Sequence, residues 1–240
     1  MKWSSNDGEK LVGVSTAAQI TEALNHGASL QGIRGSYYLK QLDCPTQIHV
    51  SNAPNEIFEL FPLRMYSPPK EVTAKVKSLL SNLQENIDIF QNYPLDPSDP
   101  DFSQKPFRLN ECYHNSVNLF HMVRHLDTIK AIKLTKPVKI VLGHVSSKIP
   151  FGTKVGNAVI ESDSVWLHDW HVWNYVENVL IDMSMFKHGG IIPPDDSVTS
   201  WGKAQDHIFA YPPNNLKYYG VSFSTLSEFN NVFGKIFGIA

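Results

Sequence analysis

The order of two hydrophobic patterns is the feature that most constrains how this chain can fold. Apolar residues fall at spacings of three and four along residues 72–90, which predicts one long helix. After residue 138 the apolar runs are rich in β-branched residues, as is typical of strands. Helical patterns come mostly first and strands mostly later, without regular alternation, and this order favours an α+β fold. Thr225 and Glu228, at capping-box spacing, predict a last helix over Leu226–Phe237.

A proline-rich segment divides the chain. Residues 93–106 contain four prolines among aspartates and serines, a composition typical of loops and linkers. We therefore expect a mainly helical N-terminal extension over residues 1–92 and a core over residues 107–240. A chain of 240 residues is long enough for one such core without stabilising disulfides.

Charge and composition argue against several classes of protein. The net charge is −2, so we expect no attraction to nucleic acid or to an anionic membrane surface. No apolar run reaches about 18 residues, and the first residues lack the apolar segment of a signal peptide. We therefore expect a cytoplasmic protein without a membrane span. No glycine pattern of a phosphate-binding loop occurs, no cofactor is expected, and the oligomeric state is not indicated.

Cys112 lies where a helix is expected to begin. Asn110 is a favourable N-cap, and residues 111–125 follow with an apolar side. The unpaired N–H groups and the dipole of a helix start favour the thiolate, which is the reactive form of cysteine. The alternative is a buried structural cysteine, because free cysteine is among the most buried residue types. The second cysteine, Cys44, has no comparable setting.

The segment from His171 to Ser184 predicts a hairpin with a tight turn at Glu177-Asn178. Side chains alternate between the two faces along a strand, so a turn of even length brings His171 and Asp182 to one face as diagonal neighbours. A turn of odd length would move Asp182 to the opposite face. On one face, the carboxylate would fix the tautomer of the imidazole and stabilise its charged form. The alternative is two unrelated surface residues.

Four segments carry these features in order along the chain. They are Asn110–Ser116, Gly143–Val145, His171–Asn174 and Leu180–Ser184. Over roughly residues 107–186, the chain resembles the Cys–His–Asp core of the transglutaminase-like branch of the papain-like superfamily. Two departures are visible. Tyr113 follows Cys112 and Glu111 precedes it, where transglutaminases commonly have Trp beside the nucleophile. Papain-type proteases place a Gln before the nucleophile as an oxyanion donor, whereas this chain has Asn110 two positions earlier.

The resemblance implies a papain-like α+β fold in which the nucleophile helix packs on an antiparallel sheet. It also implies acyl-enzyme chemistry on an amide bond, with Cys112 as nucleophile, His171 as base and Asp182 as the residue that orients His171. The implied substrate is a protein or peptide amide, and protease, amidase, glutamine deamidase and transglutaminase all remain open. The alternative is a catalytically inactive papain-like fold that serves as a protein-binding module.

Several further residues are candidates for roles around these three. The Cys112 backbone N–H is the first oxyanion donor to consider. The other candidates for oxyanion stabilisation or substrate binding are Asn110, Asn115, Trp173 and His144. Trp173 would line a substrate groove, with core packing as the alternative. The histidines combine with Cys112 into no spacing typical of a structural zinc site, so we expect no metal.

Overall fold

A computed structural model describes most of the second half of the chain and parts of the first half. The described residues are 4–6, 9–12, 30–31, 37–40, 48–51, 57, 63–92, 105–109, 111–149, 154–155, 158–159, 165–187 and 201–238. Within them the chain forms three helices and a short 3-10 turn. These are α1 (Ala74–Asn92), α2 (Cys112–Thr128), the 3-10 turn Ala204–Asp206 and α3 (Leu226–Phe237).

Thirteen strands are found in the same described residues. They are β1 (Ser4–Asn6), β2 (Glu9–Val12), β3 (Leu30–Gln31), β4 (Tyr37–Lys40), β5 (Ile48–Ser51), β6 (Arg64–Met65), β7 (Lys139–Ile149), β8 (Lys154–Val155), β9 (Ala158–Val159), β10 (Val165–Val176), β11 (Val179–Phe186), β12 (His207–Phe209) and β13 (Leu216–Phe223). Six of them form an antiparallel sheet in the order β6-β13-β7-β10-β11-β12. The fold is therefore mixed α and β around an antiparallel sheet, as the α+β expectation required.

The predicted helices are present. The long apolar stripe forms α1, and Thr225 caps the start of α3, because its hydroxyl oxygen accepts from the Glu228 N–H at 3.2 Å. Gly238 ends α3 in the left-handed region at φ 65°, a conformation that glycine adopts without strain. One member of the stripe is misassigned, since Phe90 is 45% exposed.

The N-terminal part differs from the mainly helical extension that the sequence predicts. Five short strands and β6 precede α1, and β5 runs parallel to the first part of β10. The buried side chains of α1, including Leu83 and Ile87, pack in the same hydrophobic cluster as Phe120 of α2. α1 and α2 therefore share one hydrophobic cluster across the predicted division between residues 92 and 107.

The two faces of the antiparallel sheet carry separate hydrophobic clusters. The helix-covered face packs Ile140, Leu142 and Val172 against all three helices. The opposite face, called here the histidine face, holds the following buried residues: Val141, Val145, Trp173, Leu180, Ile208, Leu216 and Tyr218. His171 belongs to this second face, because it alternates with Val172 along β10.

Candidate active site

A two-residue turn sets the register of the β10–β11 hairpin. Glu177 and Asn178 both have positive φ, at 53° and 62°, as a type I′ turn requires. The strands pair Val176 with Val179 and Asn174 with Ile181. The turn has the even length that the sequence argument needs, and this register continued by one residue sets position 173 opposite position 182. His171 and Asp182 therefore share the histidine face as predicted.

His171 and Asp182 form a buried hydrogen-bonded ion pair. The His171 Nε2 atom lies 2.7 Å from Asp182 Oδ2, and the two side chains are 9% and 1% exposed. Burial alone would lower the pKa of His171, but the adjacent carboxylate outweighs it and raises that pKa well above its usual value. A hydrogen bond and charge interaction with Cys112 raise the pKa further. The pair is thus built to carry a proton on the imidazole.

Two more donors hold the Asp182 carboxylate. The Ser184 backbone N–H donates to Oδ1 at 2.9 Å, and the Tyr218 hydroxyl donates to Oδ2 at 2.7 Å. Burial raises the pKa of Asp182, but His171, Ser184 and Tyr218 together more than offset it, so the pKa lies below the ordinary value. Tyr218 escaped the sequence analysis, because β13 lies two strands from β10 in the sheet and no local spacing connects it to Asp182.

Two strands, β5 and β11, pair with separate parts of the same edge of β10. The helix α2 packs against the stretch of β10 that lies between them. β5 pairs with residues 165–168 and β11 pairs with residues 174–176, while β7 follows the other edge. The described strands leave residues 169–173 unpaired on the shared edge. There the Ser116 hydroxyl donates to the Val172 carbonyl at 2.8 Å, and the Asn174 side-chain amide donates to the Ser116 carbonyl at 3.1 Å. His171 lies within this interval.

Docking at that edge brings the first residue of α2, Cys112, to the imidazole. Nε2 of His171 is taken by Asp182, so the interaction with Cys112 falls to Nδ1. Cys112 is 9% exposed and His171 is 7% exposed, whereas Asp182 is enclosed at 1%. Cys112 and His171 therefore keep a small exposed fraction, while Asp182 is almost fully enclosed.

The cap of α2 differs from the prediction. Glu111 occupies the N-cap position and makes no side-chain cap hydrogen bond, so Cys112 is the first helical residue instead of the second. The carboxylate of Glu111 pairs with the Arg108 guanidinium at 3.3 Å. Asn110, the predicted cap and candidate oxyanion donor, lies outside the described residues.

The side chain of Asn115 makes structural hydrogen bonds within the fold. It is fully buried, and its amide NH₂ donates to the Arg108 carbonyl at 2.6 Å and to the Ser184 hydroxyl oxygen at 2.9 Å. Its amide oxygen accepts from the Arg108 N–H at 2.8 Å. Both amide hydrogens are engaged within the fold, so Asn115 ties the segment before Cys112 to β11, and a role in substrate or oxyanion binding stays a prediction.

Trp173 packs in the core and lines no groove. It is fully buried, its ring is stacked near that of His171 with centroids 6.0 Å apart, and it meets Tyr218 edge-on at 5.2 Å. Gly220 makes room for it, because a Cβ there would lie 2.7 Å from the Trp173 ring. Trp173 therefore supports the imidazole from within the histidine face.

His144 lies on the other face of the sheet from His171. It pairs with Trp170, the neighbour of His171, and its ring stacks on Tyr219 with centroids 4.9 Å apart. Neighbouring positions on a strand point to opposite faces of the sheet. His144 therefore lies on the face opposite His171, and not beside it as predicted.

The described residues contain neither a metal-ligand cluster nor a membrane-spanning helix. Within them, three or more His, Cys, Asp or Glu side chains nowhere cluster as metal ligands would. Among the helices described, each is too short or too polar to cross a bilayer. Cys112 is a free thiol, and the side chains of His168 and His188 lie outside the described part.

Comparison with known proteins gave no relatives. No protein-family profile, curated protein or solved structure matches this chain. The resemblance to the papain-like superfamily therefore remains a prediction from the motifs around Cys112, His171 and Asp182.

Proposed function

We propose that this protein is a cysteine-dependent acyl-transfer enzyme that acts on amide bonds, with a papain-like, transglutaminase-like core. The supporting observation is a helix-start cysteine that interacts with an imidazole whose other nitrogen lies 2.7 Å from a buried carboxylate. Nucleophile, base and orienting group in this relation are the arrangement that activates a thiol. Each element comes from a different part of the chain, namely the start of α2, the middle of β10 and β11.

The reaction follows from the proton positions. His171 Nδ1 takes the proton of the Cys112 thiol, and the thiolate sulfur attacks the carbonyl carbon of the amide. The tetrahedral oxyanion collapses, the C–N bond breaks, and His171 returns the proton to the leaving amine. Water or an acceptor amine then attacks the thioester and releases Cys112. Attack by water gives hydrolysis or deamidation, and attack by an amine gives transamidation.

The first oxyanion donor in this proposal is the Cys112 backbone N–H. At the first position of a helix this group has no intrahelical acceptor, so it is available to a developing negative charge. Asp182 orients His171 and stabilises the imidazolium in each step. A reducing compartment such as the cytosol would keep the thiol available.

The first test is the reactivity of Cys112 toward iodoacetamide from pH 4 to 9. The protein carries Cys44→Ser so that one thiol is followed, and the His171→Ala variant is measured beside it. If the imidazole activates the thiol, alkylation near neutral pH slows markedly in His171→Ala, and the pH profile moves to higher pH. The matched control is His125→Ala, which removes an exposed histidine from the end of the same helix.

Turnover on an amide library is the second readout. Cys112→Ala should abolish turnover, whereas Asp182→Ala should leave a remainder, with losses of up to about 10⁴-fold in kcat. Undiminished turnover in Cys112→Ala would exclude the thiol mechanism. Alkylation indifferent to His171, together with no turnover on any amide, would instead favour a binding module that keeps this fold.

A further inference from the structure

Tyr218 places a hydroxyl group in an otherwise apolar setting. The residue is 1% exposed and packs in the histidine-face cluster among Val141, Val145 and Leu216. A buried hydroxyl without a partner destabilises the fold, and phenylalanine would fill the same space without needing one. The hydroxyl has its partner in Asp182 Oδ2, at 2.7 Å, the same oxygen that lies 2.7 Å from His171 Nε2.

We propose that Tyr218 is a positioning residue of this site, which acts on His171 through the shared oxygen of Asp182. The inference rests on the proposed function, because it assigns a fourth member to the Cys112–His171–Asp182 group. Tyr218 touches neither the thiol nor a substrate in this proposal. Its hydroxyl fixes the carboxylate and moderates how strongly that carboxylate attracts the imidazole proton.

The donors around Asp182 explain why such a residue is useful. Ser184 N–H holds Oδ1, so Tyr218 and His171 share the other oxygen. The imidazole changes charge during the proposed reaction, whereas a hydroxyl donates in both states. Burial and the neighbouring carboxylate raise the pKa of Tyr218 well above its usual value, so the group stays a neutral donor. The carboxylate thus remains anchored and ionised when the imidazole is neutral.

The direction of the effect on His171 follows from electrostatics. The hydroxyl hydrogen points its partial positive charge at Oδ2, beside the imidazole, and this disfavours the imidazolium. The same hydrogen bond draws electron density from Oδ2 and weakens its bond to His171. Removing the hydroxyl should therefore raise the pKa of His171, provided that Ser184 keeps the carboxylate in place.

The experiment is an NMR titration of the His171 imidazole in the full chain, comparing Tyr218→Phe with the unmodified protein. We expect the His171 titration to move to higher pH in Tyr218→Phe. The control is Tyr66→Phe, which removes a hydroxyl from the same face, one that donates to the Ala210 carbonyl at 2.9 Å. Tyr66→Phe should lower stability and leave the His171 titration where it was.

A double-variant cycle separates action through Asp182 from general loosening of the core. In an Asp182→Asn background, Tyr218→Phe should no longer shift the His171 titration, because the shared carboxylate is gone. A shift of equal size in that background would contradict the proposal. So would a folded Tyr218→Phe protein in which His171 titrates as in the unmodified protein.

Two safeguards keep the outcome decisive. If Tyr218→Phe does not fold, the Cζ resonance of ¹³C-labelled Tyr218 is followed in the unmodified protein. It must move as His171 titrates, and a stationary resonance overturns the proposal. The alkylation test decides the proposed function separately: if His171→Ala leaves Cys112 reactivity unchanged, the enzyme proposal fails, while the titrations still decide whether Tyr218 acts on His171.

Discussion

At the scale of single residues, the ion pair between His171 and Asp182 governs how the protein should respond to pH. Two charges removed from water are costly unless they are paired and hydrogen-bonded. Here the carboxylate has three donors, and the two interacting atoms are 2.7 Å apart. The pair therefore contributes to stability only while both partners carry charge.

The pH window of that contribution follows from the two shifts. The pKa of Asp182 lies below its usual 3.8, so its contribution is complete above that pH and is lost as pH falls through the folded value. The pKa of His171 lies well above 6.5, so its contribution is complete below pH 6.5 and is lost as pH rises through the folded value. The pair should stabilise the protein most between these limits.

Asp182→Asn tests this window by urea unfolding at several pH values. Near pH 5.5 the variant should lose about 3–5 kcal/mol of the free energy of unfolding, the cost of breaking a buried pair by removing one partner. The difference should shrink as pH rises past the titration of His171. Glu85→Gln, which changes an exposed carboxylate on α1, should show neither the loss nor the pH dependence. A loss that is constant from pH 5.5 to pH 10 would contradict the assignment.

The site was predictable where its chemistry is local. His171 and Asp182 lie on one hairpin, so the two-residue periodicity of strands and the even turn were sufficient to bring them together. Tyr218 and the structural hydrogen bonds of Asn115 were not predictable. Their partners lie 36 residues and 69 residues away along the chain, at Asp182 and Ser184, and only the packed fold makes them neighbours.

At the scale of secondary-structure elements, the contact between α2 and β10 positions the Cys112 thiol relative to the His171 imidazole. Ser116 lies one turn after Cys112 and is 3% exposed. Its hydroxyl bonds the Val172 carbonyl, and its own carbonyl accepts from Asn174. A helix bonded to β10 at Val172 and Asn174, directly after His171, has little freedom to slide along the strand.

Ser116→Ala should weaken that anchor. The substitution leaves the buried Val172 carbonyl without its side-chain donor, which typically costs about 1–3 kcal/mol. We expect a corresponding fall in the free energy of unfolding, measured in urea, and slower alkylation of Cys112. Ser78→Ala on the exposed side of α1 should change both quantities little. Unchanged stability and alkylation in Ser116→Ala would show that the helix is held by other contacts.

The elements themselves were predicted with uneven success. The bounds of α3 were correct, because a threonine cap and a final glycine mark both ends. The start of α2 was misplaced, since cap preferences are statistical and Glu111 stands there without a capping bond. The strands before α1 are only two to four residues long, which is too short for a periodic pattern to reveal them.

At the scale of the whole molecule, the sheet is most enclosed at its centre. β7 pairs with both β10 and β13, while β6 and β12 each lie at an end of the six-strand order. Leu142 and Val172 face the helices, whereas Val141 and Trp173 fill the histidine face. The candidate site thus lies on the central strands, which have neighbouring strands on both edges and packed side chains on both faces.

Hydrogen exchange should show that protection falls from the centre of the sheet to its ends. Backbone amides of β7 and β10 near Leu142 and Val172 should exchange only through global unfolding, while those of β6 near Met65, which is 53% exposed, should exchange through local opening. Exchange measured by NMR over a denaturant series distinguishes the two routes. Equal protection of β6 and β7 would mean that the sheet opens as one unit.

The division of the chain into an N-terminal extension and a core stays a prediction from the proline-rich segment. The prolines between residues 93 and 106 predict a loop or linker, and residues 93–104 lie outside the described residues. A linker-like composition does not reveal whether its flanks pack together. Leu83 and Ile87 of α1 share a cluster with Phe120, and β6 pairs with β13. Long-range packing of this kind leaves no mark in local spacing.

The interval on the edge of β10 has a consequence for when the protein becomes reactive. An open strand edge invites pairing with other chains unless something covers it. Here α2 makes the cover, and the residue at its start is the thiol itself. Covering the strand edge and bringing Cys112 to His171 are consequently one event of folding. On the proposed mechanism, a nascent or partly unfolded chain carries a cysteine without a base, and so has no premature activity toward its neighbours.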